Sequence, residues 1–381
     1  MKGSYLFIIS LAVLFTACAQ EKSESKATVV KKIEIPAVDT NFTLKDYLGE
    51  NKNLDTQVEN VFNALDDTAI VAQLIMPAVG RLGQTPSTIV KHIKNRQIGG
   101  VLMLNGTKDE FKKWISQFNQ LNDSIGNLAF LYSADAEPSL VNRKIIGSKK
   151  VKKANELKDI NEVKEVAQII SDELKAIGIN YNFSPVVDMS PNTTVGFRSF
   201  GAVPANIIPW SNEFIQTTQM NNIIATAKHF PGHGLVSGDT HKSLQMIDGE
   251  MKEIKNYPTL IENGVLSIMV AHIAVKNNPR FDTKGMPSTL SPEIVTHLLR
   301  DSLQFKGLVV TDAMNMGGVS FIKNANSKAI DAGCDIVLMP LDAGKAHSEI
   351  MLKYKNDLNF KKKVDASAKR IIRMKIALGV L

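Results

Sequence analysis

Residues 228–241 read Lys-His-Phe-Pro-Gly-His-Gly-Leu-Val-Ser-Gly-Asp-Thr-His and hold three of the chain's seven histidines. Folding alone does not require titratable groups at that density. Asp239 stands two residues before His241, where a carboxylate can fix the imidazole tautomer and stabilise its protonated form. A histidine so placed can give a proton to a leaving group near neutral pH and take one back from water. Further along, Gly-Leu-Val-Val-Thr-Asp-Ala-Met (307–314) ends an apolar run in a single carboxylate. Asp312 there can act as a nucleophile or as an electrostatic stabiliser, or it can simply cap the next helix. His229, His233, Asp239 and His241 match no standard zinc spacing, and Lys228 beside them would repel a cation, so no metal and no cofactor are expected.

These groups need a scaffold, and the chain supplies a regular one. From about residue 55, short apolar runs alternate with amphipathic stretches. The runs fall at 73–76, 99–104, 128–132, 179–187, 223–230, 266–275, 307–310 and 335–339, which makes eight. Helix-like patterns are clearest over 154–177, 204–221, 291–304 and 317–332. Strands alternating with helices imply parallel pairing, and near-continuous apolar strands imply a sheet covered on both faces. The expected fold class is α/β, a single (β/α)8 TIM-type barrel over 46–381. A doubly wound open sheet is the rival, but no Gly-rich dinucleotide turn follows the first strand. Just past the apolar runs stand Asn105, Asp135, Asp188, Lys228 with His229, His272 and Asp312. Their collection at strand C-terminal ends is where a barrel keeps its reactive groups.

Lys-His-Phe-Pro-Gly-His-Gly followed by Gly-Asp-Thr-His (238–241) resembles the signature of family-three glycoside hydrolases, in their β-N-acetylglucosaminidase branch. The likeness runs from about Gln73 to Gly318, through Asn-Phe-Ser-Pro-Val-Val-Asp (182–188), Gly-Phe-Arg-Ser-Phe-Gly (196–201), Ile-Met-Val-Ala-His (268–272) and the segment 287–314. It implies a covalent glycosyl-enzyme on Asp312, with His241 as acid/base oriented by Asp239. It also implies that Asp135, Arg198, Lys228 and His229 hold a terminal N-acetylglucosamine. The expected activity is that of a retaining exo-β-N-acetylglucosaminidase on peptidoglycan fragments or other amino-sugar glycans. Phosphate in place of water in the second step is an alternative, and a silent sugar-binding protein is another. One segment departs from the pattern. Asp135-Ala-Glu-Pro-Ser-Leu140 stands where the family has Asp, any residue, Glu-Gly-Gly-Arg, so an arginine is lost that Arg143 could replace. His233 is left without a role.

The N-terminus adds a location. Lys2, the apolar run 5–15 and Thr-Ala-Cys (16–18) resemble a bacterial lipoprotein signal, with Cys18 as the lipidated residue, followed by a flexible tether over 19–45. The expected place is the cell envelope, lipid-anchored outside the cytoplasm. Cys334, the other of two cysteines, is expected to be a buried small apolar group. The net charge of +7 comes largely from lysine clusters at 149–153 and 361–363 without interleaved aromatics, which reads as solvated faces, with no nucleic-acid partner.

Overall fold

The computed structural model describes residues 36–38, 41–192 and 194–381. The expected signal at 1–18, Cys18 and most of the 19–45 tether lie outside the described residues. Phe42 and Leu44, near the end of that tether, pack against the core.

Each of the eight apolar runs carries a strand, and a ninth, Ala78–Val79, follows the first run. In chain order they are β1 (Ile75–Met76), β2 (Ala78–Val79), β3 (Gly100–Met103), β4 (Leu131–Ala134), β5 (Tyr181–Asn182), β6 (Ile224–Phe230), β7 (Ser267–Val270), β8 (Leu308–Thr311) and β9 (Val337–Leu338). Pro77, which has no N–H to give a ladder, separates β1 from β2. A seven-stranded parallel sheet runs β8-β7-β6-β5-β4-β3-β2, and β1 pairs in parallel with β9. Backbone bonds also link the two sets: Thr311 N–H donates to Ile336 C=O at 3.0 Å, and Gly99 N–H donates to Ile75 C=O at 3.1 Å. Every strand residue of this sheet is buried, which is why the runs are apolar without alternation.

The helices follow from the 3.6 period and its punctuation. Ile160–Ile177 buries Val163, Val166, Ala167, Ile170, Leu174 and Ile177 on one face. Asp159 caps its start by accepting from the N–H groups of Asn161 and Glu162, and Gly178 ends it at φ 95°. The expected helix from 154 is thus shorter, because residues 154–156 form a separate 3-10 turn ahead of that cap. Pro204–Met220 is helical as expected, and Glu293–Ser302 is a π-helix inside the expected 291–304.

Two expectations need correction. The run 266–275 is not one strand: β7 stops at Val270, and Ile273–Lys276 pairs with Gln245–Asp248 in a second small sheet. Both halves are apolar, so periodicity cannot see the change of partner. The helix expected over 317–332 occupies only Ala325–Ala332. Its first part is unavailable for helix because Gly317 and Gly318 give their N–H groups to the carbonyls of His241 and Thr240, at 3.0 and 3.2 Å. A Cβ on Gly317 would lie 2.4 Å from the Lys242 carbonyl oxygen, so only glycine allows that approach.

Candidate active site

The strand C-terminal ends open onto a cavity of about 480 Å³ whose wall includes Asn105, Asp135, Lys144, Arg198, Lys228, His229, His233, His241 and Asp312. Asp239 stands just behind, bonded to His241. All seven catalytic and sugar-binding positions expected from the sequence therefore meet here. Asp188 and His272, also strand-end residues, are not on the cavity wall and serve as supports behind it.

One side of the cavity is a fused network of charges. Asp135 takes Lys228 Nζ on Oδ1 at 2.8 Å and Lys144 Nζ on Oδ2 at 2.5 Å. Lys228 also reaches Glu137 Oε1 at 2.5 Å, and Arg198 grips both oxygens of Glu137 at 2.7 and 2.8 Å. Burial alone would raise both carboxylates, but Lys144 and Lys228 hold Asp135 far below the usual range. Against the same burial, Arg198 and Lys228 hold Glu137 down at about 2. Both stay ionised at neutral pH, and so do Lys228 and Arg198, where against burial these carboxylates raise the pKa. The network keeps unused capacity. Two of the three Lys228 N–H donors are taken by carboxylates, Arg198 Nη1 has no partner in the network, and each Asp135 oxygen retains a lone pair. Such a surface can donate to and accept from the hydroxyls of a sugar.

Two of these residues were not legible in the sequence as site groups. Glu137 is fully buried yet pairs with both Arg198 and Lys228, and its sequence signal is that it keeps the glutamate of the Asp, any residue, Glu pattern, to which the sequence alone attaches no role. Lys144 comes from the short helix Val141–Lys144 and places a cation beside Asp135, where the sequence offers Arg143 as the substitute for the missing arginine. Arg143 lines the cavity, but it forms no ion pair among the described residues. Ser139, in place of a glycine, donates to the Phe197 carbonyl at 2.7 Å and accepts from Ala154 N–H at 2.9 Å, which ties the altered segment to its neighbours.

His229 is held by the buried Asp188, whose Oδ2 accepts from Nδ1 at 2.6 Å. The proton on Nδ1 leaves Nε2 as the ring's free nitrogen toward the cavity. Burial would raise Asp188, but the neighbouring His229 and His233 outweigh it and lower it. Asp188 also accepts from the His233 backbone N–H at 2.8 Å, so one carboxylate shapes the start of the histidine loop. A second buried carboxylate, Glu253, shapes its middle. It accepts from the N–H groups of Met189, Gly234 and Leu235, and burial together with the charge of Asp188 pushes it up to about 8.

Asp312 follows β8 and is half-buried, with one hydrogen bond, from Ala313 N–H to Oδ1 at 2.8 Å. Burial raises its pKa, and His229 and His272 together with that N–H more than offset this, so it is lowered and ionised. His272 lies behind it, with Nε2–H donating to the Ala313 carbonyl at 3.0 Å and Nδ1 accepting from the Thr289 hydroxyl at 2.8 Å. Burial lowers the His272 pKa, so this ring is a neutral brace for the Asp312–Ala313 turn.

Across the cavity wall, His241 Nδ1 meets Asp239 Oδ1 at 2.7 Å, and the same oxygen accepts from the His241 backbone N–H at 3.0 Å. Burial opposes ionisation of Asp239, but these two bonds outweigh it and lower its pKa. The dyad thus leaves Nε2 unbonded, and the His241 side chain is 62% exposed, so that nitrogen is open to proton exchange with a bound molecule or with water.

Residues 67–374 match the family model described as "Glycosyl hydrolase family 3 N terminal domain". A "Beta-N-acetylglucosaminidase/beta-glucosidase" of Cellulomonas fimi is 30% identical over 231 residues, covering 56% of this chain and 41% of that protein. A "Beta-hexosaminidase" of Hydrogenovibrio crunogenus is 29% identical over 214 residues, covering 53% and 58%. The chain spans about half the length of the curated relatives it matches. Among solved structures, a β-N-acetylglucosaminidase from Paenibacillus sp. superposes with a TM-score of 0.76 at 27% identity, covering 83% of this chain and 63% of that one. A β-N-acetylhexosaminidase from Beutenbergia cavernae gives 0.73 at 25% identity, covering 81% and 97%.

Proposed function

The chain belongs to glycosyl hydrolase family 3, and from that premise we propose that it is a retaining exo-β-N-acetylglucosaminidase. The observation that carries the reading is the shared cavity: an ionised Asp312 with spare acceptor capacity on one wall, and a histidine on another whose tautomer is fixed by Asp239. Relatives named β-hexosaminidase or β-N-acetylglucosaminidase support the choice of sugar.

In the first step, a carboxylate oxygen of Asp312 attacks C1 of the terminal sugar as the glycosidic C–O bond breaks. His241 Nε2–H gives its proton to the departing oxygen, and Asp239 stabilises the imidazole through Nδ1. In the second step, neutral His241 takes a proton from water, the resulting hydroxyl attacks C1, and Asp312 leaves as carboxylate. Two displacements at C1 retain the β configuration. Asp135, Arg198, Lys228 and His229 hold the sugar's hydroxyls and acetamido group through the donors and acceptors their network leaves open. We also read the sheet as a closed eight-position barrel. In support, backbone bonds run from β8 to Ile336 ahead of β9, and from β1 to Gly99 ahead of β3.

The natural substrate in this reading is a peptidoglycan fragment or another amino-sugar glycan met outside the cytoplasm, with the chain lipid-anchored at Cys18. The Thr-Ala-Cys sequence at 16–18 after an apolar run supports that placement. Fatty-acid labelling that survives Cys18→Ser would overturn it.

The activity is tested with aryl β-glycosides of N-acetylglucosamine, glucose and N-acetylgalactosamine, each with and without phosphate. The expected result is hydrolysis of the N-acetylglucosaminide with the β-anomer formed first. Sugar 1-phosphate on adding phosphate would shift the reading to phosphorolysis. Binding of N-acetylglucosamine oligomers without turnover would shift it to a silent sugar-binding protein.

A further inference from the structure

His233 lines the cavity wall, is 2% exposed, and has no part in the chemistry above. Its Nε2 lies 3.0 Å from the Thr240 hydroxyl, and its Nδ1 is buried without a hydrogen-bond partner. The ring therefore has a single side-chain bond, and that bond goes to the residue between Asp239 and His241. Thr240 is 1% exposed, so the contact is sheltered from water. On the other side of Thr240, its carbonyl accepts from Gly318 N–H at 3.2 Å, and the His241 carbonyl accepts from Gly317 N–H at 3.0 Å. At its own base, His233 is fixed through its backbone N–H to Asp188, which also holds His229.

We infer that His233 and Thr240 are positioning residues for proton transfer: the His233–Thr240 bond fixes the Asp239–His241 pair against the frame that carries His229 and Asp312. The inference rests on the assignment of His241 as acid/base. The exposed dyad has few other restraints. Its ring bonds only to Asp239 two residues away, a local contact that sets ring orientation and not the position of the loop. Position comes from bonds outside the dyad: two backbone bonds to the Gly317–Gly318 turn that follows Asp312, the Asn192 amide on the Gly238 carbonyl at 3.1 Å ahead of Asp239, and the His233 side chain on Thr240 between the two. Of these, the His233–Thr240 bond is the one made between two side chains at the residue that separates Asp239 from His241, so it can be removed from either partner without disturbing a backbone path. A misplacement of about 1 Å at a proton donor is enough to cost much of its contribution.

The test is the leaving-group dependence of turnover. Thr240→Val keeps the shape and deletes the hydroxyl, and Thr240→Ser restores it. His233→Phe deletes the ring nitrogens, and His233→Gln returns a polar atom at the distance of Nε2. Across aryl N-acetyl-β-glucosaminides of rising leaving-group pKa, kcat of Thr240→Val and His233→Phe is expected to fall about 10-fold on the poorest leaving group. The loss shrinks as the leaving group improves, because a good one needs less help from an acid. KM stays within about 2-fold, and Thr240→Ser and His233→Gln recover most of the rate. A loss equal across all leaving groups, a rise in KM with kcat kept, or no loss at all overturns the inference while leaving the hydrolase reading intact. Absence of wild-type turnover on every aryl glycoside overturns both.

Discussion

Asp312 and Asp335 are aspartates at opposite ends of two neighbouring parallel strands, both surrounded by protein and both held below the usual carboxylate range against their burial. They differ in how far their oxygens are satisfied. Asp335, just ahead of β9, accepts four bonds: Arg300 at 2.6 Å and Val309 N–H at 2.8 Å on Oδ2, and Ser367 and Arg370 at 2.8 Å each on Oδ1. Asp312, just after β8, accepts one. Asp335 has no lone pair left for a ligand, whereas Asp312 lines a cavity of about 480 Å³. Burial and a shifted pKa are thus common to both ends. What distinguishes the reactive end is unused bonding capacity in front of a cavity.

The sharpest way to break this comparison is to remove each carboxylate in turn. Asp312→Ala is expected to lower kcat by about 10⁴-fold or more with little change in the melting temperature. Asp335→Ala is expected to cost about 3 kcal/mol of stability, because it leaves Arg300 and Arg370 facing a vacated partner, while the folded fraction keeps its activity. Denaturant melts and active-site-titrated rates separate the two effects. If Asp335→Ala loses turnover per folded molecule as severely as Asp312→Ala, the division between the ends fails.

A smaller effect is expected at Asp239. Asp239→Asn keeps a polar group beside His241 but removes the charge that supports the imidazolium and reverses the tautomer preference. kcat on a poor leaving group should fall about 10²-fold, with less loss on a good one. A loss indifferent to the leaving group would remove His241 from its role.

The smallest expected effect lies at the structural end. Lys375 is fully buried, and its ammonium donates to Gln73 Oε1 at 2.6 Å and to the Gly99 carbonyl at 3.0 Å, with no carboxylate in reach. Burial lowers its pKa to about 7. Between pH 7 and pH 10 the unfolded chain holds a proton that the folded chain lacks, so stability should rise with pH across that window and the contribution should level off below it. The slope is at most ~1.4 kcal/mol per pH unit, and Lys375→Met should flatten it. Equal slopes in the two proteins would show that Lys375 stays charged when folded.

The sequence made one kind of feature plain and hid another. Asp135 and Asp312 follow apolar runs and Lys228 stands near the end of one, within β6, and a buried parallel strand leaves an apolar signal that ends about where the strand does. Glu137 and Lys144 lie in a segment with no periodicity, and each becomes a site residue only through where the turn at 136–144 folds. Gly317 and Gly318 read as the start of a helix because their use is in the backbone, clasping the His241 loop, and backbone contacts leave no trace in side-chain pattern. His233 was visible as a histidine in the loop, but its tie to Thr240 depends on how that loop closes on itself. The 266–275 run hid its break after Val270 because the seven-stranded sheet and the second small sheet both take apolar residues there.

The central claim is that Asp312 forms a covalent bond to the sugar. A fluorinated N-acetylglucosaminide with a good leaving group slows the second step more than the first, so the intermediate accumulates. Mass spectrometry of the protein after brief exposure should show one added glycosyl unit, carried on the peptide that contains Asp312 and absent from Asp312→Ala. Full turnover with no adduct, or an adduct mapped to another residue, would contradict the account.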